Sequence, residues 1–129
     1  MRMHHIGYAV TDIAKSIVEF NKLGFDVESE VFQDIDRKVA LCFMRNGTNR
    51  IELVSPISND SPVKNVLNKV GNTPYHICYI SEDIAKDLKE LATNKFIVIA
   101  DIAPAIAFKG KSVAFLFKKD VGLIELVEE

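Results

Sequence analysis

Residues 11–17 read TDIAKSI and residues 82–88 read EDIAKDL, so the string Asp-Ile-Ala-Lys occurs twice, 71 residues apart. Four further matches follow at spacings of 71 to 74 residues. They are His5-Ile6 with His76-Ile77, Phe25 with Phe96, KVALCF from Lys38 with SVAFLF from Ser112 (74 apart), and Ile51-Glu52-Leu53 with Ile124-Glu125-Leu126. Five matches in one order indicate a duplicated unit, with copies at residues 1–56 and 73–129.

Both copies have the same pattern of segments. A strand-like run comes first, followed by an acidic residue and apolar residues at helical spacing, and the helix of the first copy ends at Gly24. Three further strand-like runs follow. They are residues 27–32, 39–45 and 50–55 in the first copy and 96–102, 112–117 and 123–128 in the second. The turn-forming strings RNGTN and KKDVG join the last two strands of each copy. The sequence therefore predicts an α+β fold built of two tandem βαβββ modules.

The segment between the copies, residues 57–72, is polar at its start and then turns amphipathic. Pro62 suits the first position of a helix and Ser61 suits its N-cap, so we expect a short helix over 62–69. The whole chain, 1–129, is then a single domain of two repeats and a linker, a size that suits one core.

Composition excludes several classes of function. The formal net charge is -2, without a basic stripe for nucleic acid, and no apolar stretch is long enough for a membrane span or a signal peptide. Cys42 and Cys78 both lie in apolar runs, which is typical of buried thiols in a reducing compartment rather than of a disulfide framework. We expect a cytoplasmic protein that binds neither nucleic acid nor membranes.

Two carboxylates occupy unexpected positions, because Glu52 and Glu125 each interrupt an apolar strand. Alternation along a strand places each of them on the face opposite its bulky apolar neighbours, and it does the same for His5 and His76 on the first strand of each copy. Two imidazoles and two carboxylates on one side of a sheet are costly to bury unless something pairs with them. A divalent transition metal resolves this, and nitrogen and oxygen ligands suit Co, Ni, Zn, Mn or Fe.

The alternative for each residue alone is structural. A single histidine in a strand is usually hydrogen-bonded to its neighbours, and a single glutamate often lies at an exposed edge. The recurrence of both residue types at matching places favours the metal site. His4 lies on the wrong face and is expected to be structural or exposed, unless the strand register is off by one residue.

A duplicated βαβββ unit with His, Glu, His and Glu on its terminal strands resembles the vicinal oxygen chelate superfamily, which contains glyoxalase I, methylmalonyl-CoA epimerase, extradiol dioxygenases and metal-free antibiotic-binding proteins. The strings HHIGYAVTDI, IELVSPISNDSPVKNVL, YHICYISEDI and GKSVAFLFKKDVGLIEL are closest to the epimerases. The resemblance implies a curled mixed sheet around one metal held by His5, Glu52, His76 and Glu125, and commonly a homodimer.

The resemblance also implies proton removal from a carbon next to a carbonyl, with Glu125, or else Glu52, as the base. The substrate is then an acyl-CoA such as methylmalonyl-CoA or, in the alternative of a glyoxalase I, a glutathione or other thiol adduct. One feature departs from the epimerases, since some of them use a second carboxylate on the strand matching KVALCF and this run has none. A non-enzymatic alternative is a small-molecule (drug) binding protein, although such relatives usually lack the metal ligands.

Four other residues are weaker candidates for contacts with substrate. Cys78 shares its strand face with His76, although filling the core is its more common role. Lys109 and Lys111 would suit the anionic tail of a substrate, and Arg37 would suit a carboxylate, although solvated charges in turns are the usual explanation.

Overall fold

The computed structural model describes all residues, 1–129, as nine strands, three α-helices and one 3₁₀ helix. The strands are β1 (Arg2–Ala9), β2 (Asp26–Val27), β3 (Phe32–Asp34), β4 (Val39–Asn46), β5 (Asn49–Pro56), β6 (Thr73–Ser81), β7 (Ile97–Pro104), β8 (Ser112–Lys118) and β9 (Gly122–Glu128). The α-helices are α1 (Ile13–Lys22), α2 (Pro62–Val70) and α3 (Ile84–Thr93), and the 3₁₀ helix is Ile106–Phe108. The predicted α+β class with two βαβββ modules is confirmed.

The chain forms two compact units, which are described separately. The first unit, His5–Tyr75, has the strand order β2-β4-β5-β1, with β3 also on β4. Strand β1 pairs with β5 in parallel, and β4 pairs with β5 in antiparallel register across the two-residue turn at Gly47. The parallel pairing joins the first and last strands of the module, which brings residues distant in sequence side by side.

One strand prediction in the first unit is wrong. Residues 27–32 do not form one strand, because the edge is divided into the short strands β2 and β3. The amides of Glu28 and Ser29 both donate to the carbonyl of Phe43, at 2.9 and 3.3 Å, so two residues face one across the ladder. Such a bulge interrupts the regular pairing of a strand.

The second unit, Met1–His4 with His76–Glu129, has the strand order β6-β9-β8-β7. Strand β6 runs parallel to β9, while β8 is antiparallel to both β9 and β7. It repeats the arrangement of the first unit, with one long edge strand, β7, in place of the divided β2 and β3. The ion pair of Arg2 with Glu129, at 2.6 Å, joins the N-terminal residues to the rest of this unit.

The helices begin and end where their sequences predict. Asp12 and Asp83 are the N-caps of α1 and α3, and each side chain accepts a hydrogen bond from the backbone amide three residues later. Helix α1 packs on an apolar cluster that includes Met44, Ile51 and Leu53. Helix α3 packs on the corresponding cluster of the second unit, listed as Ala114, Leu116, Ile124 and Leu126.

Helix α2 begins at Pro62 after Ser61, as expected, and extends one residue beyond the predicted end. Its residue Val63 is buried, whereas Val70 is exposed. None of the three helices is long and apolar enough to cross a bilayer. Both cysteines are buried free thiols, as predicted, and burial raises the pKa of Cys42, with the hydrogen bond to Ser29 acting in the opposite direction.

Candidate metal centre

The first unit buries one histidine and one glutamate side by side. His5 lies on β1 and Glu52 on the adjacent strand β5, where Glu52 pairs with Gly7, two residues beyond the histidine. His5 Nε2 is 3.6 Å from Glu52 Oε1, and the two residues are only 1% and 5% exposed. Their neighbours Ile6, Ile51 and Leu53 belong to the cluster under α1. Alternation of side chains therefore places the polar pair on the sheet face opposite the helix.

The second unit repeats this arrangement. His76 lies on β6 and Glu125 on β9, where Glu125 pairs with Cys78, again two residues beyond the histidine. His76 Nε2 is 3.2 Å from Glu125 Oε2, and the residues are 3% and 4% exposed. The same local rule applies, because Ile124 and Leu126 face α3 and leave Glu125 on the other side of the sheet.

A phenylalanine accompanies each pair, and the sequence analysis did not identify it. Phe43 on β4 is opposite Glu52, and its ring meets the His5 ring edge to face at 5.3 Å and 71°. Phe115 on β8 is opposite Glu125, and its ring meets the His76 ring at 5.7 Å and 84°. Each unit therefore contains a His–Glu–Phe set on three neighbouring strands.

The equivalence of Phe43 and Phe115 corrects the sequence match in these strands. Aligning KVALCF with SVAFLF, 74 residues apart, equates Phe43 with Phe117. The strand register equates Phe43 with Phe115, because each lies opposite the glutamate of its unit. The available signal was the alternation rule, because Phe115 and Phe117 share a face and only the pairing with β9 separates their roles.

The chemistry of these side chains suits a divalent transition metal. Each of the four residues offers one ligand atom, an imidazole nitrogen from each histidine and a carboxylate oxygen from each glutamate. Burying a carboxylate is expensive, and a nearby cation offsets that cost. Nitrogen and oxygen donors without a thiolate fit Mn, Fe, Co, Ni or Zn. The donor set therefore fits a metal of this class, and both units supply the same half of it.

The weaker candidates for contacts with substrate lie in other environments. Arg37 follows β3, and its guanidinium pairs with the buried Asp34 at 2.9 Å. Lys109 and Lys111 are exposed in the turn after the 3₁₀ helix, where Lys109 adopts a left-handed φ of 56°. Cys78 is 0% exposed and packs with Val113 and Val127, which fits a role in packing.

His4 follows the expectation for a residue on the opposite face. It is partly exposed, and its ring contacts Phe108 edge to face at 5.3 Å. His5, one residue later, is buried beside Glu52. The strand register therefore separates the two histidines as predicted.

Comparison with known proteins supports the resemblance. The family model of the Glyoxalase/Bleomycin resistance protein/Dioxygenase superfamily matches residues 4–115. The chain is 34% identical to the ethylmalonyl-CoA/methylmalonyl-CoA epimerase of Cereibacter sphaeroides, covering 97% of this chain and 96% of that protein. It is also 34% identical to the mitochondrial methylmalonyl-CoA epimerase of Mus musculus, covering 97% of this chain and 71% of that protein.

A solved structure agrees with these relatives. A variant of Streptomyces coelicolor methylmalonyl-CoA epimerase, in complex with 2-nitronate-propionyl-CoA, superposes with a TM-score of 0.86 at 26% identity, covering all of this chain and 94% of that one. Fold, sequence and the extent of the match agree, and the chain belongs to the Glyoxalase/Bleomycin resistance protein/Dioxygenase superfamily.

Proposed function

We propose that this protein is a divalent-metal-dependent epimerase that removes and returns a proton next to the carbonyl of an acyl-CoA, as in methylmalonyl-CoA epimerase. The observation that carries the proposal is the buried His–Glu pair that occurs in both units. The relatives named as epimerases span nearly the whole chain and supply the substrate class.

In this proposal His5, Glu52, His76 and Glu125 together hold one metal ion. When bound, such an ion supplies a Lewis acid that stabilises negative charge on the carbonyl oxygen of the substrate. The two imidazoles serve as neutral nitrogen ligands. The side chains of Phe43 and Phe115 give the glutamates apolar neighbours and keep water away from the reacting carbon.

A carboxylate oxygen of Glu125, or else of Glu52, is the proposed base that takes the proton. The neighbouring strands supply no other candidate, since neither β4 (Val39–Asn46) nor β8 (Ser112–Lys118) contains an acidic residue. Epimerisation requires the proton to leave one face of the carbon and to return to the other. Two glutamates donated from the two units suit that requirement.

The proposed substrate is a CoA thioester, and Lys109, Lys111 and Arg37 remain candidates for its anionic groups. We also propose a cytoplasmic location, because the buried free thiols of Cys42 and Cys78 suit a reducing compartment. The homodimer implied by the family resemblance is a further part of this proposal.

The second candidate function is that of a glyoxalase I, which isomerises a hemithioacetal to a thioester. The absence of an acid from β4 favours it, since some epimerases carry a base on the matching strand. Both reactions begin with the same proton removal, so the substrate must be tested directly. Deuterium exchange at the α-carbon of methylmalonyl-CoA tests the epimerase, and thioester formation from methylglyoxal plus glutathione tests the glyoxalase.

Replacing the proposed base tests the mechanism. We expect Glu125→Gln to reduce α-proton exchange by about 10²–10⁴-fold, because the amide cannot accept the proton. Glu90→Gln, the same change on the exposed surface of α3, is the matched control and should leave exchange unchanged. Elemental analysis of both variants separates loss of the metal from loss of the base.

Two results would contradict the proposal. Unchanged exchange in Glu125→Gln and in Glu52→Gln would remove both residues as bases. A purified protein that takes up no divalent transition metal under any condition would favour the third candidate, a small-molecule (drug) binding protein.

A further inference from the structure

Strand β7, the last strand of its sheet, is both apolar and exposed. Its sequence is IVIADIAP, and only Ala103 is partly covered. Ile97 is 60% exposed, Ile99 is 58% exposed, and Val98 is 40% exposed. A long apolar edge strand presents unpaired backbone groups as well as hydrophobic side chains, so natural proteins rarely leave one uncovered.

The matching edge of the first unit is protected in the usual ways. It is divided into β2 and β3, which are two and three residues long. A bulge interrupts it at Glu28 and Ser29, and the segment DVESEVFQD carries four acidic residues. Because the two units are copies of one pattern, β7 has lost devices that the other edge retains, and a covering partner explains the difference.

We propose that β7 is the contact surface of a homodimer, in which the β7 strands of two copies pair in antiparallel register about a two-fold axis at Val98. In that register Ile97 lies opposite Ile99 of the partner subunit. The axis falls where pairing with β8 is still regular, because the register shifts of β7 come after Val98.

Charge supports a second copy over an unrelated partner. Two charged residues flank the exposed apolar stretch, Lys95 and Asp101, and they have opposite signs. The proposed axis places Lys95 opposite Asp101 of the partner subunit, and the reverse pair forms by symmetry. A surface with this pattern is complementary to itself, as a two-fold interface requires.

The neighbouring strand widens the same surface. Phe117 on β8 is 39% exposed and lies opposite Ile97, so the two side chains share one face of the sheet. Ile106, just beyond the end of β7, is 55% exposed. These side chains add apolar area to the contact between backbones, which alone would be small for a specific interface.

The test is the mass of the full-length protein in solution, measured by light scattering after gel filtration over a range of concentrations. We expect twice the chain mass of 14.4 kDa at micromolar concentration. Ile99→Lys should raise the dimer dissociation constant by at least about 10-fold, because two new charges enter an apolar contact. Val27→Lys, the same kind of change on the exposed edge of the first unit, is the matched control and should remain dimeric.

A charge exchange tests the register. Lys95→Glu should weaken the dimer, and the double variant Lys95→Glu with Asp101→Lys should restore it. A wild-type protein that stays monomeric, or an Ile99→Lys variant that dimerises as tightly as the wild type, would overturn the proposed surface. Failure of the double variant to recover would overturn the two-fold axis at Val98. These outcomes do not depend on the proposed catalytic activity, which is measured separately.

Discussion

Phe43 and Phe115 are the residues whose roles depend most on their immediate neighbours. Each ring stands edge to face against the histidine of its unit and opposite the glutamate. Aromatic contacts of this geometry have a preferred orientation. We therefore interpret the two rings as positioning residues that fix the imidazole planes of His5 and His76.

This interpretation predicts the effect of a conservative change at Phe43. Phe43→Leu should weaken binding of the metal by about 2- to 12-fold, because an edge-to-face contact contributes about 0.5–1.5 kcal/mol. The affinity for Ni²⁺ or Co²⁺, measured by competition with a chelator, is the readout. Phe117→Leu, on the exposed end of β8, is the control and should bind as the wild type does. Equal affinity in all three proteins would leave Phe43 with a role in packing alone.

At the scale of elements, the duplicated modules keep their helices and central strands and differ at their connections. The spacing between equivalent residues is 71 for the histidines, 72 for the phenylalanines and 73 for the glutamates. Each step adds one residue in a connection between strands, where insertions cost little. The buried strands tolerate no such change, because a shift of one residue turns every side chain to the other face.

Gly24, which follows the end of α1, is a test of these connections. It has a φ of 95°, and a Cβ atom there would approach the Asn46 side chain to 3.1 Å. Gly24→Ala should lower the free energy of unfolding by about 1–2 kcal/mol, since alanine disfavours this conformation. Chemical denaturation of the metal-free protein measures it.

Gly47, in the β4–β5 turn, provides the comparison. It also has a positive φ, 61°, although no atom lies near its would-be Cβ. Gly47→Ala should therefore destabilise the protein less than Gly24→Ala. The reverse order would show that contact with Asn46 is unimportant for the end of α1.

At the scale of the whole molecule, a metal held by residues of both modules should stabilise the folded chain. A ligand that binds only the folded state at 100 times its dissociation constant adds about 2.7 kcal/mol to the free energy of unfolding. For a chain of this length that corresponds to a rise in Tm of about 10 °C. Thermal unfolding with Ni²⁺, and again after EDTA, measures the effect.

The control variant for this measurement is His76→Gln, which removes one proposed ligand. Its Tm should respond little to Ni²⁺. An identical rise in the variant and the wild type would mean that the ion binds elsewhere.

The sequence by itself determined the duplication, the order of strands and helices in each module, and the pairing of one histidine with one glutamate on a common face. These features follow from local rules, since alternation along a strand, helical spacing and capping residues such as Asp12 and Asp83 involve only nearby positions. Family membership, which the repeated HHIGYAV and IEL strings indicated, rests on the same local patterns.

Only the tertiary structure decided which residues stand next to one another across the strands. Sequence matching equated Phe43 with Phe117, predicted one strand over residues 27–32, and gave no sign that β7 would be exposed. Register and burial depend on hydrogen bonds between strands far apart in the chain, and two similar apolar strings can satisfy them with different offsets. The aromatic neighbours of the proposed metal ligands and the uncovered edge therefore appear only when the strands are paired.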